Sequence, residues 1–313
     1  MKTYIKYFFL CAIILFGNST FAQNSDSFSE EEIEENISID EDDLLKELAQ
    51  EEFVKNQKKA KKVLAKAINK GKKGELDDAL EMLNKVIELD STYAKAYYNR
   101  AFAQREKFNN KAAIKDYTKA IELDSLYLAA YYYRGLTYAD ESDNRAAIDD
   151  FSFVISHDSL NADAYYYRGI ARYFLLEIHL AIEDFSQAIS IDSTYSDAYY
   201  NRALALSRIG DFNGAIADYS SAIQYNPFDA DFYNNRGNVH YTQKNYRGAI
   251  ADYNKALYLD PSMARTYTNR GNAYFLQKNR ALACADWERA EEMGFVFSDK
   301  DKDFLRRACK KMR

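Results

Sequence analysis

An arginine recurs at Arg100, Arg134, Arg168, Arg202, Arg236 and Arg270, each copy 34 residues after the last with no slip. A strict period of that length describes one two-helix unit copied along the chain. One such unit cannot bury its own apolar face, so the copies must stack. Length then sets the number of copies, and function has to be sought on the surface of the stack.

The residues around the arginine show what each unit is. Three positions earlier stands Tyr97, Tyr131, Tyr165, Tyr199, Tyr233 or Tyr267, and directly after it Ala101, Gly135, Gly169, Ala203, Gly237 or Gly271. These mark one face of a first helix. Thirteen residues past the arginine comes Ala113, Ala147, Ala181, Ala215, Ala249 or Ala283, and four later Tyr117, Phe151, Phe185, Tyr219, Tyr253 or Trp287. In this second segment Ala113, Ile114, Tyr117, Ala120 and Ile121 lie along one side of a 3.6-period helix. The small residues let helices approach closely and the aromatics fill the gap, each contributing roughly 1.5 to 3 kcal/mol by burial. With only 2 Pro and 11 Gly in 313 residues there is little material for a strand-and-turn fold, and the chain is expected to be all-α. An aspartate follows each arginine by sixteen residues: Asp116, Asp150, Asp184, Asp218, Asp252 and Asp286. Each is expected to pair with an arginine of its own or an adjacent unit, which would be architecture rather than a binding site.

Phrases such as "AYYNRA", "AYYYRG" and "FYNNRG" in the first helices, with "AIKDY", "AIEDF" and "AIADY" in the second, resemble the tetratricopeptide repeat family. The resemblance implies a right-handed solenoid of about seven repeats over residues 60–297. Its first copy, Ala60–Tyr93, keeps Ala67, Ala79 and "VIELD" but lacks the arginine and tyrosine. Ser125, Ser159 and Ser193 stand where the family often has proline, leaving Asp-Ser turns, with Asn-Pro or Asp-Pro only at Pro227 and Pro261.

The same resemblance places first helices on the concave side and assigns a peptide-binding groove to Tyr98, Asn99, Tyr132, Tyr133, Tyr166, Tyr167, Tyr200, Asn201, Asn234, Asn235, Asn238, Asn269 and Asn272. Thr268 and the apolar Phe102, Leu136, Ile170 and Leu204 complete those positions. An asparagine offers one acceptor and two donors, so a row of them can hydrogen-bond an extended backbone whatever its side chains. Tyrosine adds flat, rigid area and a hydroxyl, a combination enriched at interfaces. The tyrosines have a second reading, as packing between neighbouring first helices. The lysine and asparagine clamp that some family members use for a terminal carboxylate is not evident, and Asp163, Asp197 and Asp231 would repel such a group.

Both ends carry other instructions. Met1–Ala22, with Lys2, Lys6, a short apolar run and "STFAQ", reads as a removed export signal rather than a membrane span, and Cys11 inside that run is not placed for lipid attachment. Residues 23–43 form an acidic segment expected to be disordered, with ten acids and no base between Asp26 and Asp43. A helical lead-in over 44–59 follows. Lys55, Lys58, Lys59, Lys61, Lys62, Lys66, Lys70, Lys72 and Lys73 make a basic run, read as a solvated face rather than a dock for the acidic tail. Residues 298–313 are expected to form a capping helix, with Ser298 and Asp301 at its start and Phe304, Leu305, Ala308, Cys309 and Met312 on its apolar side. A bond between Cys284 and Cys309 would staple that cap to the stack, but two unpaired buried thiols are the expectation.

No chemistry-bearing constellation emerges. His157, His179 and His240 lie in differing repeat contexts, no metal-ligand spacing or nucleophile motif occurs, and glycine-rich phosphate loops are absent. The sequence is therefore read as a non-enzymatic, exported scaffold, periplasmic or extracellular, without cofactor or metal. Its partner would be a protein or extended peptide, with no nucleic acid and no membrane span after signal cleavage. The competing readings are a self-assembling structural solenoid, hence a homo-oligomer, and an accessory subunit of an envelope enzyme or secretion complex.

Overall fold

The computed structural model describes residues 41–309. The export signal, residues 23–40 of the acidic segment and residues 310–313 of the cap lie outside them. All regular structure among the described residues is helical: α1 Glu41–Lys72, α2 Leu76–Leu89, α3 Ala94–Glu106, α4 Asn110–Leu123, α5 Leu128–Asp140, α6 Asn144–His157, α7 Ala162–Phe174, α8 Ile178–Ile191, α9 Ser196–Arg208, α10 Phe212–Tyr225, α11 Ala230–Thr242, α12 Tyr246–Leu259, α13 Ala264–Leu276, α14 Arg280–Glu292 and α15 Asp299–Cys309.

Two units divide at Lys59 and Ala60. In the first, residues 41–43 of the segment expected to be disordered are helical, and Lys46 pairs with Asp43 at 3.0 Å along that helix. Leu45, Leu48, Phe53 and Val54 of this stretch are exposed.

The second unit is the solenoid. From Ala60 onward the remainder of α1 pairs with α2, and α3 to α14 follow as six more hairpins, each packed on the next. Within a hairpin the turn needs one residue in the left-handed region, and it falls every 34 residues at Gly74, Phe108, Ser142, Leu176, Gly210, Lys244 and Lys278. Only two of these are glycine, so the other side chains carry steric strain. Second helices are started by side chains in the following copies: Asp143, Asp211, Asn245 and Asn279 each accept from a backbone N–H three residues on. Between hairpins, Asp90, Asp124, Asp158, Asp192, Asn226 and Asp260 accept from the N–H two residues later. Four of these turns end the second helix with serine where the family often has proline, and the other two carry Pro227 and Pro261.

The core repeats with the sequence. Ala101, Gly135, Gly169, Ala203, Gly237 and Gly271 face Tyr117, Phe151, Phe185, Tyr219, Tyr253 and Trp287, all buried. The approach is tight where the small residue is glycine, since a Cβ on Gly169 or Gly237 would lie 2.7 Å from the ring of Phe185 or Tyr253. First helices of neighbouring hairpins also touch directly, α3 with α5, α5 with α7, α7 with α9 and α11 with α13, while second helices make no comparable contact. The closely set helices therefore line the inner side of the stack.

At the end of the solenoid α15 closes the last hairpin. Ser298 accepts from the N–H of Asp301 at 3.2 Å and donates to its carboxylate at 2.6 Å, the expected cap. Phe304 packs on Phe275 and Trp287. The expectation of free thiols is corrected: Cys284 and Cys309 are bonded, with Cα atoms 5.9 Å apart. The reason is geometric, because α15 folds back onto α14 and brings together two cysteines 25 residues apart.

Candidate functional site

The arginine row resolves into structure. Arg100, Arg134, Arg168, Arg202, Arg236 and Arg270 each grip the aspartate sixteen residues on, within their own unit, through Nε and Nη2; for Arg202 and Asp218 the distances are 2.7 and 2.8 Å. Each guanidinium also lies over the tyrosine three residues before it, 5.3 Å from the ring of Tyr267 in the tightest case. The sequence reading missed a third bond. Nη1 donates backwards to Asn84, Thr118, Ser152, Ser186, Ser220 and Asn254 of the preceding hairpin. The signal was present, since these residues recur every 34 positions and are all small hydroxyls or amides. The arginine thus ties two consecutive second helices together.

Every residue assigned to the groove is partly buried and lies on a first helix. Through the first half the tyrosines form an aromatic band. Tyr98 packs on Tyr127 and Tyr133, Tyr132 on Phe151 and Tyr167, and Tyr166 on Phe185 and Tyr195. Asn99 turns onto its own helix, donating to the carbonyl of Lys95. Further along, amides and phenols bond across hairpins. Asn201 donates to the Tyr166 hydroxyl at 3.1 Å, Asn235 to Tyr200 at 2.9 Å and Asn269 to the Asn238 carbonyl oxygen at 3.0 Å, while Thr266 donates to Asn234 at 3.0 Å.

Asn238 and Asn272 have a further duty. Each accepts from the core aromatic fifteen residues on: the Tyr253 hydroxyl at 2.9 Å and the Trp287 indole N–H at 3.0 Å. Where the equivalent inner residue is apolar the core ring is Phe151 or Phe185, except at Phe102 and Leu204, which face Tyr117 and Tyr219. The Tyr117 hydroxyl accordingly has no partner among the described residues. Polar capacity remains on this face. Among the described residues Oδ1 of Asn201 and the side-chain NH2 groups of Asn234 and Asn272 have no partner.

Two hollows open beside the amides. One, about 150 Å³, is lined by Asn238, Tyr241, Thr242, Tyr253, Asn269 and Asn272; the other, about 240 Å³, lies between α9 and α11 and includes Leu204, Ser207, Tyr219 and Asn235. Burial is the main force on the row's phenols, pushing Tyr98, Tyr132 and Tyr166 up and Tyr200 up to about 12. All stay protonated donors at neutral pH. His240, half-buried near Asp252 at 3.8 Å, has its pKa lowered chiefly by burial and so stays neutral. Among the described residues no three His, Cys, Asp or Glu side chains gather as a metal would require, and no helix is long and apolar enough to cross a membrane.

The family patterns described as Tetratricopeptide repeat match residues 200–264 and 94–125, and the one described as TPR repeat matches residues 72–107. These stretches of the chain are tetratricopeptide repeats. An uncharacterized protein of Methanocaldococcus jannaschii is 44% identical over 50 residues, which is 16% of this chain and 58% of that protein's length. A tetratricopeptide repeat protein from Parabacteroides merdae superposes with a TM-score of 0.59 at 20% identity, covering 80% of this chain and 97% of its own. The pilF product of Pseudomonas aeruginosa has a TM-score of 0.59 at 16% identity, covering 70% and 98%. YrrB, described as a TPR protein with an unusual peptide-binding site, has a TM-score of 0.52 at 24% identity, covering 59% and 95%. These structures share the solenoid fold.

Proposed function

We propose that the solenoid is a protein-binding scaffold whose inner face takes an extended polypeptide segment, with no covalent chemistry of its own. The observation that supports this most is the row of partly buried amides and phenols on the inner helices, from Tyr166 to Asn272, that hold one another in place and keep spare donors and acceptors. Side chains fixed this way are ordered before a guest arrives, so little further entropy is lost on binding. The peptide-binding site for which YrrB is described concerns that protein; the likeness supports only the suitability of the fold.

The test is display of a randomised peptide library against the purified chain, repeated with Asn201, Asn235 and Asn269 all changed to alanine. Peptides enriched on the parent are expected to lose at least tenfold in affinity on the triple variant while helicity is kept. Equal capture by both proteins overturns the reading.

The scaffold works outside the cytoplasm in this proposal. The reading is supported by the export-like character of Met1–Ala22 and by the bond between Cys284 and Cys309, a linkage that persists in oxidising surroundings. Residues 1–30 fused to a phosphatase that is active only after export should give activity, and an inactive fusion counts against it.

A further inference from the structure

A hollow of about 370 Å³ opens at the junction of α5 and α7, in the aromatic stretch of the inner helices. Leu128 and Val154 give it aliphatic walls, Tyr132 and Tyr133 give aromatic ones, and Asp158 and Asp163 give carboxylates. No basic side chain lines it. Its volume suits one long side chain rather than a water or a cofactor.

The two carboxylates are met only by neutral donors. Asp158 accepts from the Leu160 N–H and the Asn161 amide, and Asp163 accepts from the Tyr195 hydroxyl at 2.8 Å. Among the described residues neither has an ion-pair partner. The basic side chain on the same inner side, Arg105, is committed to Asp140 at 2.7 Å. The local field is therefore negative, as the Tyr132 phenol registers: burial pushes it up first and the Asp163 charge pushes it further. The pattern continues along the stack, where Asp197 acts likewise on Tyr166 and Asp231 on Tyr200.

We propose that this hollow receives an arginine or lysine side chain of the guest segment, its stem along Leu128 and Val154, its charge over the tyrosine rings and at the two carboxylates. Aliphatic wall, ring faces and acid together match the three parts of a long basic side chain, and an acidic or purely apolar residue would satisfy only some of them. The guest is thereby a basic extended segment. The inference rests on the inner face taking a polypeptide at all.

The same peptide library separates the two ideas. Peptides enriched on the parent protein should carry Arg or Lys at one fixed position. Changing Asp158→Asn together with Asp163→Asn keeps each side-chain acceptor and hence the turn at Asp158, so the fold should melt as before. On that variant the basic preference should vanish, with a selected Arg peptide losing at least tenfold in affinity while its Leu-substituted form binds both proteins alike. Enrichment without any basic bias overturns this inference and leaves the groove standing. Failure of any peptide to enrich overturns both.

Discussion

Arg202 donates to Asp218 and Ser186, and Asp218 is 9% exposed at its side chain. Replacing this arginine with methionine leaves a nearly buried carboxylate without its cation, a loss on the order of 3 kcal/mol. Arg168 differs, because Arg172 also reaches Asp184 at 2.7 Å and would keep part of the compensation. Arg168→Met should therefore cost less than Arg202→Met in urea denaturation followed by far-UV circular dichroism. Equal losses would show that Arg172 contributes nothing, and no loss at Arg202 would remove the arginine row from the architecture. The inner acids make a second prediction. Burial comes first and the Asp229 charge next in raising the carboxyls of Asp197 and Asp231, the latter also feeling Asp260. A carboxyl raised in the fold holds its proton better folded than unfolded, so its stabilising contribution is complete below the unfolded value of about 4 and is lost as pH rises through the folded one. Asp229→Asn removes a repelling charge while keeping the acceptor for the Asp231 N–H. Thermal melts should show the variant slightly more stable at pH 7, by roughly 0.5 kcal/mol or less for such exposed groups, with the gap closing near pH 3. A gap that persists at pH 3 would exclude this electrostatic cause.

At the scale of the element, helix type and spacing could be read from the chain because apolar period and small-residue period agree in every copy. The turns could not. The left-handed position is filled by Gly, Phe, Ser, Leu or Lys in different copies, so no residue type betrays the backbone demand that all of them meet. Leu176, at φ 65° and largely exposed, has no core contact to lose. Leu176→Gly should thus stabilise by about 1 kcal/mol, and a loss instead would mean that the side chain holds the turn. Glycines within helices divide by what they face. Gly71 in α1 has nothing within 4 Å of an added Cβ, so Gly71→Ala should gain up to about 1 kcal/mol. Gly237→Ala drives a methyl into Tyr253, whose hydroxyl is fixed on Asn238, and should lose about 1 to 3 kcal/mol despite the better helix propensity. Matching melts for the two alanine variants would refute this distinction. The candidate groove was legible only in part. Which residues lie on the first helices follows from the repeat, but which of them bond to one another depends on how one hairpin sits on the next. Asn201 reaches Tyr166, Asn269 reaches Asn238, and the pairing changes along the stack as the residues change.

For the molecule as a whole, stability in a stack of hairpins is a sum over neighbours, so each end is held from one side only. At the carboxyl end the open side is covered by α15, which buries none of its own residues completely and contacts chiefly α14. Phe304 of α15 covers Trp287, which is 3% exposed and is the only tryptophan of the chain. The disulfide across a separation of 25 residues contributes to holding this weakly packed helix, on the order of 3 kcal/mol by loop-closure entropy. Trp287 in turn donates to Asn272 at the end of the inner row, so the cap and the candidate groove share one indole. Reduction, or Cys284→Ser with Cys309→Ser, should therefore let α15 leave before the stack melts. Trp287 emission should move to the red and become open to acrylamide at temperatures where far-UV circular dichroism has lost no more than one short helix. Amide exchange should quicken in α13 and α14 and stay unchanged in α7, because neighbour-only coupling fades within a hairpin or two. An unaltered tryptophan spectrum would show that packing alone secures α15. Faster exchange as far as α7 would show a stack that unfolds as one body, against the neighbour-by-neighbour assembly that its 34-residue period implies.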